Sequence, residues 1–164
     1  MDSTTHNNTY TEIQILALVK SFEKDEAAFK WLLENALELA ALSDFFVYRK
    51  PTANEWLEKN HFPILSNFIK TIEDFDYYDD EAFAYLMHNN HREWAAVASI
   101  INDGDAQASI WLIKSGLKHY ALLAEKIDKC LRRMRHNLSE GDMGAEFEGD
   151  LSNFHGFGGL ELLW

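Results

Sequence analysis

Histidine and cysteine are the side chains best suited to metal or nucleophile chemistry, and this chain has seven of the first and one of the second. His88 and His91 stand one helical turn apart, and His61 and His119 lie in neighbouring segments. Imidazoles on one face can bind a metal, so one reading is a metal-dependent enzyme or metal-binding protein using His88 and His91. Against it, Asn89 falls where a helix is expected to end, which would turn the two rings apart. A solvated or partner-facing pair is the expectation. Cys130 is followed by Arg135, but the spacing is Cys-x4-Arg and no glycine-bearing phosphate cradle surrounds it, so a phosphatase-like thiolate loop is excluded. Lys126, Lys129, Arg132, Arg133 and Arg135 instead read as the polar face of a last helix, where cations favour the negative end of the helix dipole. No glycine-rich phosphate loop, nucleophile elbow or Cys/His zinc spacing is present. We therefore expect no enzymatic activity and no cofactor.

Two other stretches could carry a function. Asp74, Asp76, Asp79, Asp80 and Glu81 form an acidic loop around Tyr77 and Tyr78. It lacks the alternating oxygen ligands and central glycine of a calcium loop. Helix capping explains part of it. As a contact surface, the tyrosines would supply area and the acids would select a basic partner. The tail from residue 137 alternates acids and glycines through Asp150. It then turns apolar, with Phe154, Phe157, Leu160, Leu162, Leu163 and Trp164. Either it folds back onto its own domain, meeting basic residues there, or it inserts into a partner as a docking peptide.

Charge separates the chain into blocks. Residues 1–112 hold 19 acids and 8 bases, residues 113–136 hold 2 acids and 7 bases, and residues 137–164 hold 6 acids and no Lys or Arg. The net charge of -12 repels nucleic acid and anionic lipid, and it favours a protein partner with a basic surface. No run approaches the roughly 20 apolar residues of a membrane span. The polar start, Met1 to Thr11, has no secretory pattern, and a lone cysteine suits a reducing compartment, so a cytoplasmic location is expected.

These residues must be held by helices. Trp31-Leu32, Trp56-Leu57, Tyr85-Leu86 and Trp111-Leu112 recur in one frame, with Ala three residues before the aromatic and Asn or Ser four after it. Between them run segments with apolar spacings of three and four. Examples are Trp94, Ala95, Val97, Ala98 and Ile101, and Tyr120, Leu123, Ala124 and Ile127. An opening segment, Ile13 to Phe22, reads as the second helix of a truncated leading unit. The pattern predicts five apolar second helices interleaved with four aromatic first helices, and it places the four aromatics in the core between units. Asn35, Asn60, Asn89 and Ser115-Gly116 should close first helices. Pro63 should open a second helix. Asp25, Asp103 and Asp105 should cap first helices, and Val47 to Thr52 should be a linker.

The frame Trp-Leu-x-x-Asn, a short link, then an apolar helix resembles ankyrin-type repeats and, more loosely, HEAT-like and other paired-helix solenoids. It covers about residues 12 to 130, without the Thr-Pro-Leu-His turn of ankyrin units. The resemblance implies a curved stack whose open face binds another protein. The expected fold is thus all-α, a short helical-repeat solenoid. A polar segment spans 1–11, the repeat domain 12–136 and the acidic, glycine-containing tail 137–164. The expected function is a non-enzymatic interaction module, either an assembly or adaptor subunit or an acidic inhibitor of a basic partner, resembling immunity proteins in that role. Its expected contacts are Asp74, Asp76, Tyr77, Tyr78, Asp79, Asp80 and the apolar tail residues.

Overall fold

A computed structural model describes residues 10–72 and 80–140, with side chains through Met134. Among the described residues every regular element is an α-helix. In chain order these are α1 (Glu12–Ser21), α2 (Glu26–Asn35), α3 (Leu37–Tyr48), α4 (Pro51–Lys59) and α5 (Pro63–Lys70). After them come α6 (Asp80–His88), α7 (Arg92–Asp103), α8 (Ala106–Lys114) and α9 (Lys118–Glu140). The odd-numbered helices carry the apolar second segments and the even-numbered ones the aromatic-leucine pairs.

Two capping arrangements recur among the even helices, an aspartate at the start of α2 and α8 and an asparagine at the end of α2, α4 and α6. Asp25 and Asp105 accept the backbone N–H of Ala28 and Ala108, each at 3.1 Å, so the recurrent alanine is the third residue of a capped first turn. At the other end, the Asn35, Asn60 and Asn89 side-chain amides donate to the carbonyls of Trp31, Trp56 and Tyr85 at 2.8–2.9 Å. The asparagine thus caps its own aromatic's carbonyl. It does not itself take the left-handed conformation: His61, Asn90 and Gly116 do, one residue later, with φ of 67°, 66° and 79°. The next amide then reaches back to the core leucine, Phe62 to Leu57, His91 to Leu86 and Leu117 to Leu112, at 2.8–3.0 Å. After α4, α6 and α8 this Schellman closure reverses the chain within three residues, whereas α2 ends at Ala36 with φ of -156°.

Two sequence expectations shift. The linker expected from Val47 to Thr52 contracts to Arg49 and Lys50. α3 continues through Tyr48, Arg49 takes a left-handed turn, and Pro51 occupies the first turn of α4, where its missing N–H costs nothing. Asp103 closes α7 instead of preceding α8 as a cap, and Gly104 supplies the turn with φ of 64°. Pro63 opens α5 as expected.

The odd helices meet in the interior. α2, α4, α6 and α8 each pack against the two odd helices that flank them in sequence. α9 packs against α7 and α8, and also against α1 and α3. A linear stack, in which each unit touches only its neighbours, lacks those last contacts. The first and last odd helices therefore cover each other, and the set is closed on that side by helix packing. A line of rings runs through it. Phe22 to Phe46, Phe46 to Phe68, Phe68 to Trp94 and Trp94 to Tyr120 have centroids 6.1, 6.1, 5.1 and 5.4 Å apart. Tyr10 joins edge-on to Trp94 at 6.1 Å, and its hydroxyl donates to Glu38 on α3 at 3.1 Å.

Trp94 contacts three of these rings and is 1% exposed. Trp94→Ala should therefore destabilise the fold by about 3–5 kcal/mol, read as a lowered urea midpoint.

Candidate functional site

The frame aromatics sit at the margin of the core. In each pair the leucine is fully buried, and the aromatic, turned about 100° round the helix, reaches the edge. Trp31, Trp56 and Tyr85 are half-buried against the core. Trp56 stacks on Phe62, six residues on, at 5.8 Å and 15°. Trp111 has Leu117 at that position and is 38% exposed, which corrects the expectation that all four are core.

Trp111 lines a groove of ≈ 270 Å³ that lies over α7 between α6 and α8. Phe83 and Met87 of α6, Ala95 and Ala96 of α7, and Ala108 and Trp111 of α8 form its apolar walls, and Arg92 and Ser99 are its polar members. The small residues of α7 make the floor low, since alanine leaves the helix backbone close to the surface. Met87, Ile110 and Ile113 add exposed apolar surface on the two outer helices. Because both links are short, α6 and α8 run parallel to each other and opposite to α7. Asp80 and Glu81 at the start of α6 therefore lie toward the same end as Asp103 and Asp105 at the α7–α8 turn. The groove is apolar apart from Arg92 and Ser99, and these acids lie toward one end of its walls.

Of the site residues expected from sequence, Asp80 is the exposed first residue of α6. Asp74, Asp76, Tyr77, Tyr78 and Asp79 lie outside the described residues, as do Phe154, Phe157, Leu160, Leu162, Leu163 and Trp164. The histidines do not converge. His88 ends α6 in solvent, whereas His91 is buried at the position where the other closures place Phe62 and Leu117. His61 is an exposed left-handed residue, and His119 is buried with its ring 5.0 Å from Tyr120. Among the described residues no group of three or more His, Cys, Asp or Glu could hold a metal ion, and no helix is long and apolar enough to cross a membrane.

Compared with known proteins, the chain matches no family model, no curated protein and no solved structure. In sequence the aromatic-leucine frame reads as one inward-facing unit, which hides the groove. A signal was nonetheless present. Ile110, Trp111, Leu112 and Ile113 are consecutive, and four consecutive positions span most of a helix circumference, so they cannot all face one core.

His91 sets up a pH test. Its Nε2 is buried without a hydrogen bond, and burial lowers the ring's pKa below the ordinary value of 6.5. A histidine whose folded pKa is depressed favours folding while neutral, so its contribution is present above the unfolded pKa and is lost as pH falls through it. His91→Leu, which places at this closure the residue found at Leu117, should raise stability by about 1 kcal/mol at neutral pH by removing the unpaired polar atom. The gain should widen on acidification, as urea midpoints of both proteins at neutral and mildly acidic pH will show.

Proposed function

We propose that this chain is a non-enzymatic protein–protein interaction module of the adaptor or assembly type, and that the α6–α8 groove is its principal contact surface. The observation that carries the reading is the groove itself. Trp111 and Met87 are exposed along one concave apolar track with Phe83 and the alanines of α7 and α8, and exposed apolar residues gathered in a groove mark binding sites. Tryptophan is the residue most enriched at binding hot spots, and methionine suits a surface that adapts to its ligand. The parallel walls and alanine floor fit the apolar face of a partner helix. The acids at one end favour basic residues on that helix, which also sets its direction.

An adaptor is preferred to an acidic inhibitor because the concave surface is apolar along most of its length. An inhibitor that works through carboxylates would bind in a strongly salt-dependent way, whereas burial of Trp111 and its neighbours survives salt. The metal-dependent alternative loses its ligand pair, since His88 and His91 occupy opposite environments. We also infer that the helix pairs are diverged copies of one helical-repeat unit, in an array that α9 closes onto α1 and α3 instead of leaving open. The shared aromatic frame and the common closure of α4, α6 and α8 support this.

The experiment compares partner recovery from native lysate by the full chain and by Trp111→Glu. A stoichiometric partner retained by the first at high salt should be lost by the second, with a drop in affinity of roughly tenfold or more. Because Trp111 is 38% exposed, the variant should lose about 1–2 kcal/mol of stability and remain folded, which its unfolding midpoint checks. Retention of that partner by Trp111→Glu at unchanged affinity would remove the groove from the interface.

A further inference from the structure

A second concave site lies between the α1–α2 turn and the middle of α9. Phe22, Glu23 and Lys24 at the α1–α2 turn face Lys126, Lys129, Cys130 and Arg133 across a cleft of ≈ 310 Å³. The four α9 residues recur at spacings of three and four, so they share one face of the helix. Glu23 is the single acid of the cleft and is paired with Lys126. Lys129 and Arg133 make no ion pair with any described residue, while the neighbouring Arg132 is turned back onto Asp128 at 2.8 Å. The Cys130 thiol forms part of the wall and donates to the Phe46 carbonyl at 3.5 Å. Four cations against one acid make this cleft the local exception in a strongly acidic protein.

We propose that the cleft is the docking site of the chain's own acidic segment, residues 142–150, which lays its carboxylates against Lys129 and Arg133. Charge and length both favour this occupant. The segment carries Asp142, Glu146, Glu148 and Asp150 and no base. α9 ends at Glu140, so the return path to Arg133 is about 10 Å and to Lys126 about 21 Å at the helical rise. Ten further residues reach roughly 33 Å when extended, enough to bring Glu146 to Asp150 alongside. Gly141 and Gly144 accept the backbone conformations that a reversal needs. A tether this short also presents the acids at an effective concentration on the order of millimolar, which an external anion must outcompete.

Cys130 is the chain's single cysteine, so its alkylation reports on the cleft without ambiguity. Burial raises the thiol pKa, and Arg133, Lys24 and Arg49 oppose that rise. The test measures the rate of reaction with N-ethylmaleimide, a neutral reagent. It compares the intact chain with a full-length variant carrying Asp142→Asn, Glu146→Gln, Glu148→Gln and Asp150→Asn. At low salt the parent should react about three- to tenfold more slowly than the variant, as expected for millimolar tethering of a weak ligand. The difference should vanish at high salt and should not depend on protein concentration. Carbodiimide treatment of the parent should join Lys126 or Lys129 to an acid of residues 142–150 within one chain. Equal alkylation rates at low salt, or coupling that is absent, would overturn the proposal. Protection that grows with protein concentration would overturn it too, because it would place another copy's segment in the cleft.

Discussion

The interior of this protein depends on one line of aromatic contacts. Phe46, Phe68, Trp94 and Tyr120 come from α3, α5, α7 and α9 and Phe22 from the turn after α1, and each touches the next at a centroid distance within the favourable range for aromatic pairs. No two of these residues are closer than 22 positions in sequence, so the line fixes the relative height of all five helices at once. Helices of eight to twelve residues are barely stable alone in water. Their register must therefore come from tertiary contact. The even helices are positioned secondarily, each by a buried leucine and by the closure that joins it to the following odd helix.

Closing the set adds a second constraint. α9 touches α1 and α3, and the contact is made specific by the Lys126–Glu23 ion pair and the Cys130–Phe46 hydrogen bond. The ion pair is partly exposed and adds little stability by itself. It does select which face of α9 meets α1, and that choice leaves Lys129 and Arg133 along the cleft mouth. Tyr10 contributes similarly from before α1. Its burial pushes the phenol's ionisation up, with Glu38 adding to the effect, so it stays a neutral donor to that carboxylate. A residue within the polar opening segment is in this way part of the packed interior.

Much of the helical pattern was legible in sequence because it rests on periodicity. Leu39, Leu42, Leu65, Phe68, Val97, Leu123 and Ile127 are buried where spacings of three and four placed them. The asparagine or serine at the fourth position after each aromatic marks the helix ends correctly. What periodicity could not supply was the partner of each face. Phe62 and Leu117 occupy equivalent positions and look interchangeable as apolar residues. The ring of Phe62 stacks on Trp56, whereas Trp111, with Leu117 in that place, is 38% exposed. The contact of α9 with α1 was likewise illegible, since it joins residues about a hundred positions apart and a repeat frame predicts only contacts between neighbours.

His91 shows how the same closure can hold a residue that reads as functional. Its spacing from His88 suggests a ligand pair, and its burial and lowered pKa would suit a catalytic base. The backbone explains it more simply. Its N–H reaches Leu86 in the hydrogen bond that Phe62 and Leu117 make to Leu57 and Leu112, so the side chain is carried to an apolar position by chain reversal alone. The imidazole is tolerated there as a neutral ring at the cost of an unpaired nitrogen. Trp111 presents the opposite case, a residue that reads as structural and is left at the surface. Deciding between structure and function at each position requires the register of the closure, not the residue type. In this fold that register is set by the left-handed residue that follows each cap, at His61, Asn90 and Gly116.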